Sequence, residues 1–588
     1  MAVVLGLNAG HPDSSAVLVV DGTIKGACAE ERLGKRIKHS NEFPLNATRA
    51  VLDAGGLDFE DIDAIAIASD PRKNIRAKIQ FGFKNPKNLV GSALASFRNA
   101  ALRSNSSVTD ILTEEFSAPE VKRFRGKVLK VEHHLSHIAS AYYTSGFEGA
   151  VTGLSYDGSG DFVSLMLSRC ESGRIEVLDR VHLPHSLGIF YTALCQFIGF
   201  HEFGEEYKVM GLAPYGKDLY GDELSQLIGI DKSPNGWFWL NQQYFNMHSG
   251  KGADHLSNPQ IEMGQLYSPA LEKLLGAPRI DRSSPIEQRH MDIARSTQAK
   301  FEEIAIAMVE KACKRVSSSK IVLSGGCALN GVCNARILRD TDVDELYVHP
   351  ASSDDGTAAG AALYVAANFF DDISNTRLKS PFFGPIRRKL FDVSMSKLAS
   401  IYSHKNYETF EETAEIAASF IADGMVVGWY QGRSEWGPRA LGNRSILGNP
   451  LDPTMKEKIN KKIKKREGFR PFAPSVLEED ADIYFSQSVN SPYMTFVVPV
   501  REEWRKKLPA ITHVDGTARI QTVSKENNDK YYYLLNKVKA RTGIGMVLNT
   551  SFNENEPVVE TPEQAYACFE RTDMDVLVID NTIFTKNT

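Results

Sequence analysis

The residues best suited to chemistry lie in Lys130-Val131-Glu132-His133-His134-Leu135-Ser136-His137. This stretch follows the apolar pair Val128-Leu129 and leads into Ala139-Ser140-Ala141-Tyr142-Tyr143, which reads as helix. If the helix opens near the first histidine, His133 and His137 fall four apart on one face. Two neutral imidazoles so spaced can share one cation, as on a zinc-protease helix. A protease is disfavoured, because His134 stands where that motif needs its glutamate base. The competing reading is a set of histidines that pack or cap at a strand-to-helix junction.

A second concentration of chemistry is cationic. Arg439 in Gly437-Pro438-Arg439, Arg470 in Phe469-Arg470-Pro471 and Arg519 after Asp515-Gly516 sit in loops stiffened by Pro or Gly. A rigidly held guanidinium presents a planar fork to phosphate or carboxylate, and its charge does not switch off. Several such forks imply a small, highly charged ligand. A nucleic-acid surface would instead interleave exposed basic residues with aromatics. Lys461, Lys462 and Lys465 read as a solvated helix face. Asn549, beside the apolar run ending at Leu548, can donate to an anion.

Two loops suit a nucleotide. Lys320-Ile321-Val322-Leu323-Ser324 breaks into Gly325-Gly326 and reopens as helix after Asn330, exposing backbone donors to phosphate or adenosine. After Glu345-Leu346-Tyr347-Val348, the loop at 352–357 carries Asp354 and Asp355, which either complete a metal site or cap the following helix. Lys208, in a loop that Gly211 and Pro214 mark as structured, offers a phosphate contact; the plainer reading of Lys208 is a solvated lysine.

Strands must position these loops. Val3 to Asn8 ends in the turn 9–13, and two further β-type runs, Ser15 to Val20 and Thr23 to Cys28, meet across Asp21-Gly22, a strong hairpin signal. The same grammar returns about 147 residues later: Ala150 to Ser155, a turn over Asp157 to Asp161, Phe162 to Leu167, then Arg174 to Leu178. We read an internal duplication whose opposed turns can cradle a polyphosphate, by analogy with actin and the sugar kinases, with a plain β-rich domain as the competing reading. An amphipathic helix is expected within 290–318, with Ile304, Ile306, Met308, Val309 and Ala312 on its apolar face. Pro and Gly punctuation over 376–390 marks a domain boundary.

At 588 residues, more than one domain is expected. Asp and Glu total 73 against 68 Lys and Arg, so nothing draws the whole chain to nucleic acid or an anionic membrane, and any cationic site must be local. No run approaches the ~20 apolar residues that span a bilayer, and the expected location is cytoplasmic, with no nucleic-acid or membrane partner. Seven cysteines without CxxC spacing fit reduced thiols, with Cys28, Cys195 and Cys313 in the core.

Together these motifs resemble the O-carbamoyltransferases of the nodulation-factor and antibiotic-tailoring type. The resemblance runs nearly end to end, through His11-Pro12-Asp13-Ser14-Ser15-Ala16, Glu30-Glu31-Arg32 with Lys38-His39, the histidine stretch, Gly325 to Asn330, Gly437 to Arg444, Phe469 to Pro474 and Leu548 to Asn553. It implies an α/β protein of two domains. Residues 1–378 would form a duplicated actin-like ATPase domain similar to the threonylcarbamoyl-transfer protein of tRNA modification. Residues 390–588 would form a YrdC-like domain that makes carbamoyl-adenylate.

By the same resemblance, carbamoyl phosphate and ATP are substrates and the carbamoyl group passes to a hydroxyl of a small-molecule acceptor. Arg439, Lys464, Arg470, Arg519 and Asn549 match the carbamoyl-phosphate positions. His133, His137, Asp157 and Asp354 match the metal ligands, which the family fills with iron(II); ATP would bring Mg²⁺. Lys208, Gly211, Gly325, Gly326 and Asn330 are expected at the nucleotide. His11 is the candidate base for the acceptor hydroxyl, and Lys38 would neutralise phosphate charge. The rivals are an actin-fold small-molecule kinase and a tRNA-modifying carbamoyl transfer. Neither the acceptor nor the oligomeric state is legible.

Overall fold

The computed structural model describes residues 2–84, 105–116, 124–246, 261, 263–280, 282–372, 375–385 and 402–586. The chain divides into two compact α/β units, Met1–Leu378 and Lys379–Thr588.

In the first unit, β1 (Val3–Asn8), β2 (Ser15–Val20), β3 (Thr23–Ala29), β4 (Ala64–Ile67) and β5 (Lys127–Lys130) form one sheet, ordered β3-β2-β1-β4-β5. β1 to β3 are an antiparallel meander, whereas β4 and β5 join parallel. A second sheet uses β6 (Val151–Gly160), β7 (Val163–Glu171), β8 (Arg174–His182), β11 (Lys320–Ser324) and β12 (Glu345–Val348), ordered β8-β7-β6-β11-β12 with the same senses. A small hairpin of β9 (Ile228–Ile230) and β10 (Phe238–Leu240) lies between them in sequence. The repeated order and strand senses are the duplicated architecture of the actin-like ATPases.

Asp21 and Gly22 both take positive φ, 47° and 67°, as a two-residue hairpin turn requires. The second hairpin departs from expectation. Asp157 to Gly160 continue β6 instead of forming a turn, and the chain reverses at Asp161 and Phe162, with φ 49° and 75°. The ladder slips between Tyr156 and Gly160, so the strand bulges where Asp157 sits. Bulges of this kind re-aim side chains.

Two helices lie between the sheets and are exchanged. The helix after β5, His133–Ser145, packs on β6, β7 and β11 of the second sheet. The helix following β12, Thr357–Phe369, packs on β1, β2 and β4 of the first. They also pack on each other. Small residues permit this: a Cβ on Gly360 would lie 1.7 Å from the carbonyl oxygen of Ser136, and one on Gly6 would lie 2.0 Å from that of Ala358. On the opposite face of the first sheet Leu5, Leu7, Leu18, Ile65 and Ile67 are fully buried with Ala47 and Val51 of helix Leu45–Gly55, each contributing about 1.5–3 kcal/mol relative to exposure. The expected amphipathic helix spans Gln288–Val316, with Ile304, Met308, Val309 and Ala312 buried and Ile306 only half-buried. Cys28 and Cys195 are buried, while Cys313 is only partly so.

The second unit is built on a nine-stranded mixed sheet among the described residues. Its order is β13 (Ser403–Asn406), β21 (Thr582–Thr585), β20 (Val576–Ile579), β14 (Val427–Tyr430), β15 (Arg444–Gly448), β19 (Met546–Ser551), β16 (Ala473–Leu477), β18 (Thr517–Val523) and β17 (Phe496–Pro499). Helices Phe410–Ala422 and Asp529–Thr542 cover one face through Ala417, Ile421, Leu534 and Val538, over Trp429 and Val547.

Replacing Gly360 by alanine should force the two exchanged helices apart. We expect a loss of about 1–3 kcal/mol of stability, read as a lower denaturation midpoint in chemical unfolding.

Candidate functional site

The first turn of helix His133–Ser145 is fastened from outside. The backbone N–H of His133 donates to Asp161 Oδ2 at 2.9 Å. Glu132, just before it, takes Arg180 through both oxygens at 2.9 and 2.8 Å and accepts from Asn74 at 2.9 Å. A Cβ on Gly160 would lie 2.0 Å from the His133 ring, so only glycine admits the histidine there.

His133 and His137 are fully buried, and their Nε2 atoms stand 3.1 Å apart. Asp157 Oδ2 lies 3.2 Å from His137 Nε2, and Asp354 Oδ1 lies 3.5 Å from both imidazoles. These four residues offer one ligand atom each, all within 4.8 Å of one another. Converging imidazole nitrogens flanked by two carboxylates fit a divalent cation. The bulge in β6 delivers Asp157, whose carboxylate also accepts from the amides of Gly158 at 2.6 Å and Gly326 at 3.0 Å. Burial works against ionised Asp157, yet the His137 bond and charge hold it down at about 2. Burial, seconded by the Asp157 charge, pushes Asp354 up to about 7. Burial also opposes the charge on His137, but bonds to Asp157 and Asp354 carry it to about 9.

Asp354, not its neighbour, joins the histidines. Asp355 faces Asp13 and Glu31, and burial followed by those charges raises it to about 8. His134 is taken up structurally, between Ser155 Oγ at 2.7 Å and the Val163 carbonyl at 2.9 Å, and burial lowers it to about 4.

His11 stands at this cluster, its ring 5.1 Å from that of His133 and its Nδ1 4.0 Å from Asp354 Oδ2. Lys38 is exposed on the next turn. Its neighbour His39 is drawn inward: Nδ1 meets Asp13 Oδ1 at 2.7 Å and the backbone N–H donates to Glu31 at 2.7 Å. Asp13 also accepts from Ser353 Oγ at 3.1 Å, which ties the His11 turn to the Asp354 loop. Burial disfavours the imidazolium, but Asp13, then Glu31 and Glu206, raise His39 to about 9. Sequence reasoning passed over His39 and Asp13, although both lie inside the quoted motifs; a His–Asp pair 26 residues apart has no periodic signature.

The nucleotide candidates are placed less uniformly. Gly325, at φ 91°, leaves no room for a side chain against the Tyr156 carbonyl, and Gly326 N–H points at Asp157. Both therefore adjoin the histidine cluster. Asn330 caps helix Gly331–Asp340 and exchanges two hydrogen bonds with Gln298, at 3.1 and 3.0 Å. Lys208 is buried rather than solvated; its ammonium meets Glu205 at 2.6 Å and stacks 4.9 Å over Phe200. Gly211 lies within the short helix Tyr207–Leu212.

In the second unit Arg519 projects from β18. Burial, and then the like charges of Arg439, Arg466 and Arg470, push its guanidinium well below the ordinary range. Arg519 Nε is buried and has no hydrogen-bond partner. Three of these four arginines are the sequence candidates; Arg466, stacked 4.4 Å over Phe472, joins them. The loop bearing Arg439 is shaped by Glu435, whose Oε1 accepts from the amides of Leu441, Asn443 and Arg444 at 2.8, 2.9 and 3.0 Å.

Lys464 behaves otherwise. Its ammonium is taken up by oxygens of Ser551 and Asn553 at 2.6 to 3.3 Å, so it fastens the chain leaving β19. Asn549 lies in β19, and its amide N–H groups already meet Ala440, Ser475 and Gln521, leaving the buried Oδ1 as the group with no partner. Of the expected solvated lysines, Lys461 and Lys465 are exposed, Lys465 while pairing with Glu554, whereas Lys462 is half-buried and pairs with Asp575.

Comparison with known proteins matches residues 3–363 to the family described as carbamoyltransferase N-terminus and residues 418–586 to carbamoyltransferase C-terminus. Nodulation protein NolNO of Sinorhizobium fredii is 37% identical over 98% of this chain and 79% of its own length. Uncharacterized protein sll1178 of Synechocystis is 36% identical over 100% of this chain and 97% of its own. Among solved structures, full-length HypF in its phosphate- and nucleotide-bound form overlaps 64% of this chain and 47% of its own, at 15% identity and TM-score 0.31, too distant to bear on the site.

Chelator-stripped protein should bind one divalent cation per chain in calorimetric titration and melt higher with it. Replacing His137 or Asp354 by alanine should weaken that binding by about 100-fold or more, and Asp355→Asn should leave it intact. His39, held at about 9 when folded against 6.5 ordinarily, adds stability that is complete below its unfolded pKa and lost as pH rises through about 9. His39→Gln should flatten that part of a stability–pH curve measured by denaturant melts.

Proposed function

The chain belongs to the carbamoyltransferase family, and from that footing we propose that it makes carbamoyl-adenylate from carbamoyl phosphate and ATP and passes the carbamoyl group to a hydroxyl of a small-molecule acceptor. One observation carries this reading: three arginines, Arg439, Arg466 and Arg470, crowd their charge around the buried guanidinium of Arg519, whose Nε has no hydrogen-bond partner, a state that calls for a compact polyanion. The second unit is then the YrdC-like adenylate-forming part.

There Arg439, Arg470 and Arg519 bind the phosphate, with Arg466 beside them. Cleavage of carbamoyl phosphate by water leaves phosphate and carbamate. A carbamate oxygen attacks the α-phosphorus of ATP, and pyrophosphate leaves. Carbamate decays in water, so the buried arginines serve both to neutralise charge and to exclude solvent. Asn549 supports this assignment through an acceptor, since its Oδ1 suits the carbamoyl NH₂ better than an anion. Lys464 acts by holding the loop after β19.

Transfer occurs in the first unit. His133, His137, Asp157 and Asp354 would hold a divalent metal, iron(II) in our reading, which would supply Lewis acidity and a template for nucleotide phosphate. The amides of Gly325 and Gly326 and the exposed Lys38 serve the same phosphate. His11 takes the proton of the acceptor hydroxyl as its oxygen attacks the carbamoyl carbon, and AMP leaves. Lys208 and Gly211, within helix Tyr207–Leu212, and Asn330, which caps helix Gly331–Asp340, support this region through Glu205 and Gln298.

With carbamoyl phosphate and ATP but no acceptor, the protein should release pyrophosphate. Release of ADP would mean a kinase and would overturn the proposal. Arg519→Gln should cut pyrophosphate release by about 100-fold or more. His11→Asn should spare it while abolishing carbamoylation of an acceptor, and loss of both activities would sink the base assignment.

A further inference from the structure

The near-neutral charge balance hides one strongly polarised segment. Between Asp70 and Asp110, residues 71–109 contain eight Lys or Arg and no Asp or Glu, in a chain of net charge −5. Its described part includes helix Ile75–Lys84. The helix is anchored on one side: Phe81 packs edge-on against Phe162 at 5.5 Å, and Asn74 donates to Glu132 and to the Asp161 carbonyl at 2.9 and 3.0 Å. Away from that anchor, Ile75, Ile79 and Phe83 are 51%, 53% and 78% exposed. At i, i+4 and i+8 they form a single stripe. Arg72, Lys73 and Arg76 are exposed beside it.

Single exposed apolar residues are ordinary, but three in register on a helix whose neighbouring charges are all basic are the pattern of a helix lying in a membrane interface. We propose that helix Ile75–Lys84 docks this protein on an anionic lipid bilayer, the Ile75–Ile79–Phe83 stripe entering the boundary of headgroups and acyl chains while Arg72, Lys73 and Arg76 meet lipid phosphates. The charge pattern selects an anionic partner, and the aliphatic stripe selects among anionic partners. A nucleic acid would reward stacking aromatics and cations but not two exposed isoleucines. This amends the expectation, drawn from net charge, that the chain has no membrane partner. No helix among the described residues is long and apolar enough to cross a bilayer, so the contact is peripheral.

The test is co-sedimentation of the full-length protein with vesicles of phosphatidylcholine alone or mixed with phosphatidylglycerol. The protein should partition only onto the mixed vesicles, less so as salt rises. Reversing Arg72, Lys73 and Arg76 to Glu should lower partitioning by about 100-fold, at about fivefold for each cation removed. Phe83→Ser should lower it by about tenfold or more, with an unchanged melting temperature. Absence of binding to the mixed vesicles would overturn the proposal. So would binding that Phe83→Ser leaves unaltered, or salt-dependent binding to duplex DNA as strong as to vesicles. If the charge-reversed variant fails to fold, Phe83→Ser and the salt dependence of the parent decide.

Discussion

The first unit is organised by the need to bring four ligand atoms, from distant parts of the chain, within 4.8 Å of each other in a buried place. Imidazoles and carboxylates do not gather there without compensation, because each loses water and the carboxylates repel. The fold meets this by tethering the surroundings. Asp161 and Glu132 hold the start of the histidine helix, the β6 bulge lifts Asp157 toward it, and Ser353 ties the Asp354 loop to Asp13. Glycines at 6 and 360 allow the backbones to approach closely enough for this closure, and Gly160 leaves room for the His133 ring.

The second unit solves the opposite problem, since its site concentrates cations. Arg519 is buried among like charges, and the loop that carries Arg439 owes its shape to one carboxylate, Glu435, receiving three backbone N–H groups. Glu435 and Lys464 are taken up by backbone and loop contacts, while Arg439, Arg466 and Arg470 bring like charge to Arg519, Arg470 also pairing with Glu467 at 3.6 Å and Arg466 donating to Asn460 at 3.3 Å. Like charges gathered around a buried guanidinium are costly to the free protein and favour an anion that relieves them.

Much of this was legible in the residues. The hairpin at Asp21-Gly22, the recurrence of its pattern and the i, i+4 histidines depend on local rules that short stretches obey. What escaped depends on distance or on a single step of register. Residue type alone does not separate Asp354 from Asp355, and it is the family resemblance that names Asp354, the one the structure brings to the histidines. The bulge that turns an expected loop at Asp157 into strand is set by pairing with β7. Lys208 and Lys464 looked like solvent or ligand contacts, and became internal ones because Glu205, Ser551 and Asn553 lie opposite. The His39–Asp13 pair needed the fold to become visible, and so did the exposure of Ile75, Ile79 and Phe83.

The duplicated sheets also imply a history of broken symmetry. The turn after β1 carries His11, and the β6 bulge before the corresponding reversal carries Asp157; the segment after β5 carries the two histidines, and that after β12 carries Asp354. Corresponding positions in the two copies therefore hold different chemical parts. A symmetric pair of identical chains would have presented the same residue from both sides of its cleft, two bases or two carboxylates, and could not have mixed them. Joining the copies in one polypeptide released that constraint. Each half now lacks what the other provides, so exchanging one copy for a duplicate of its sister would preserve the architecture and erase the site.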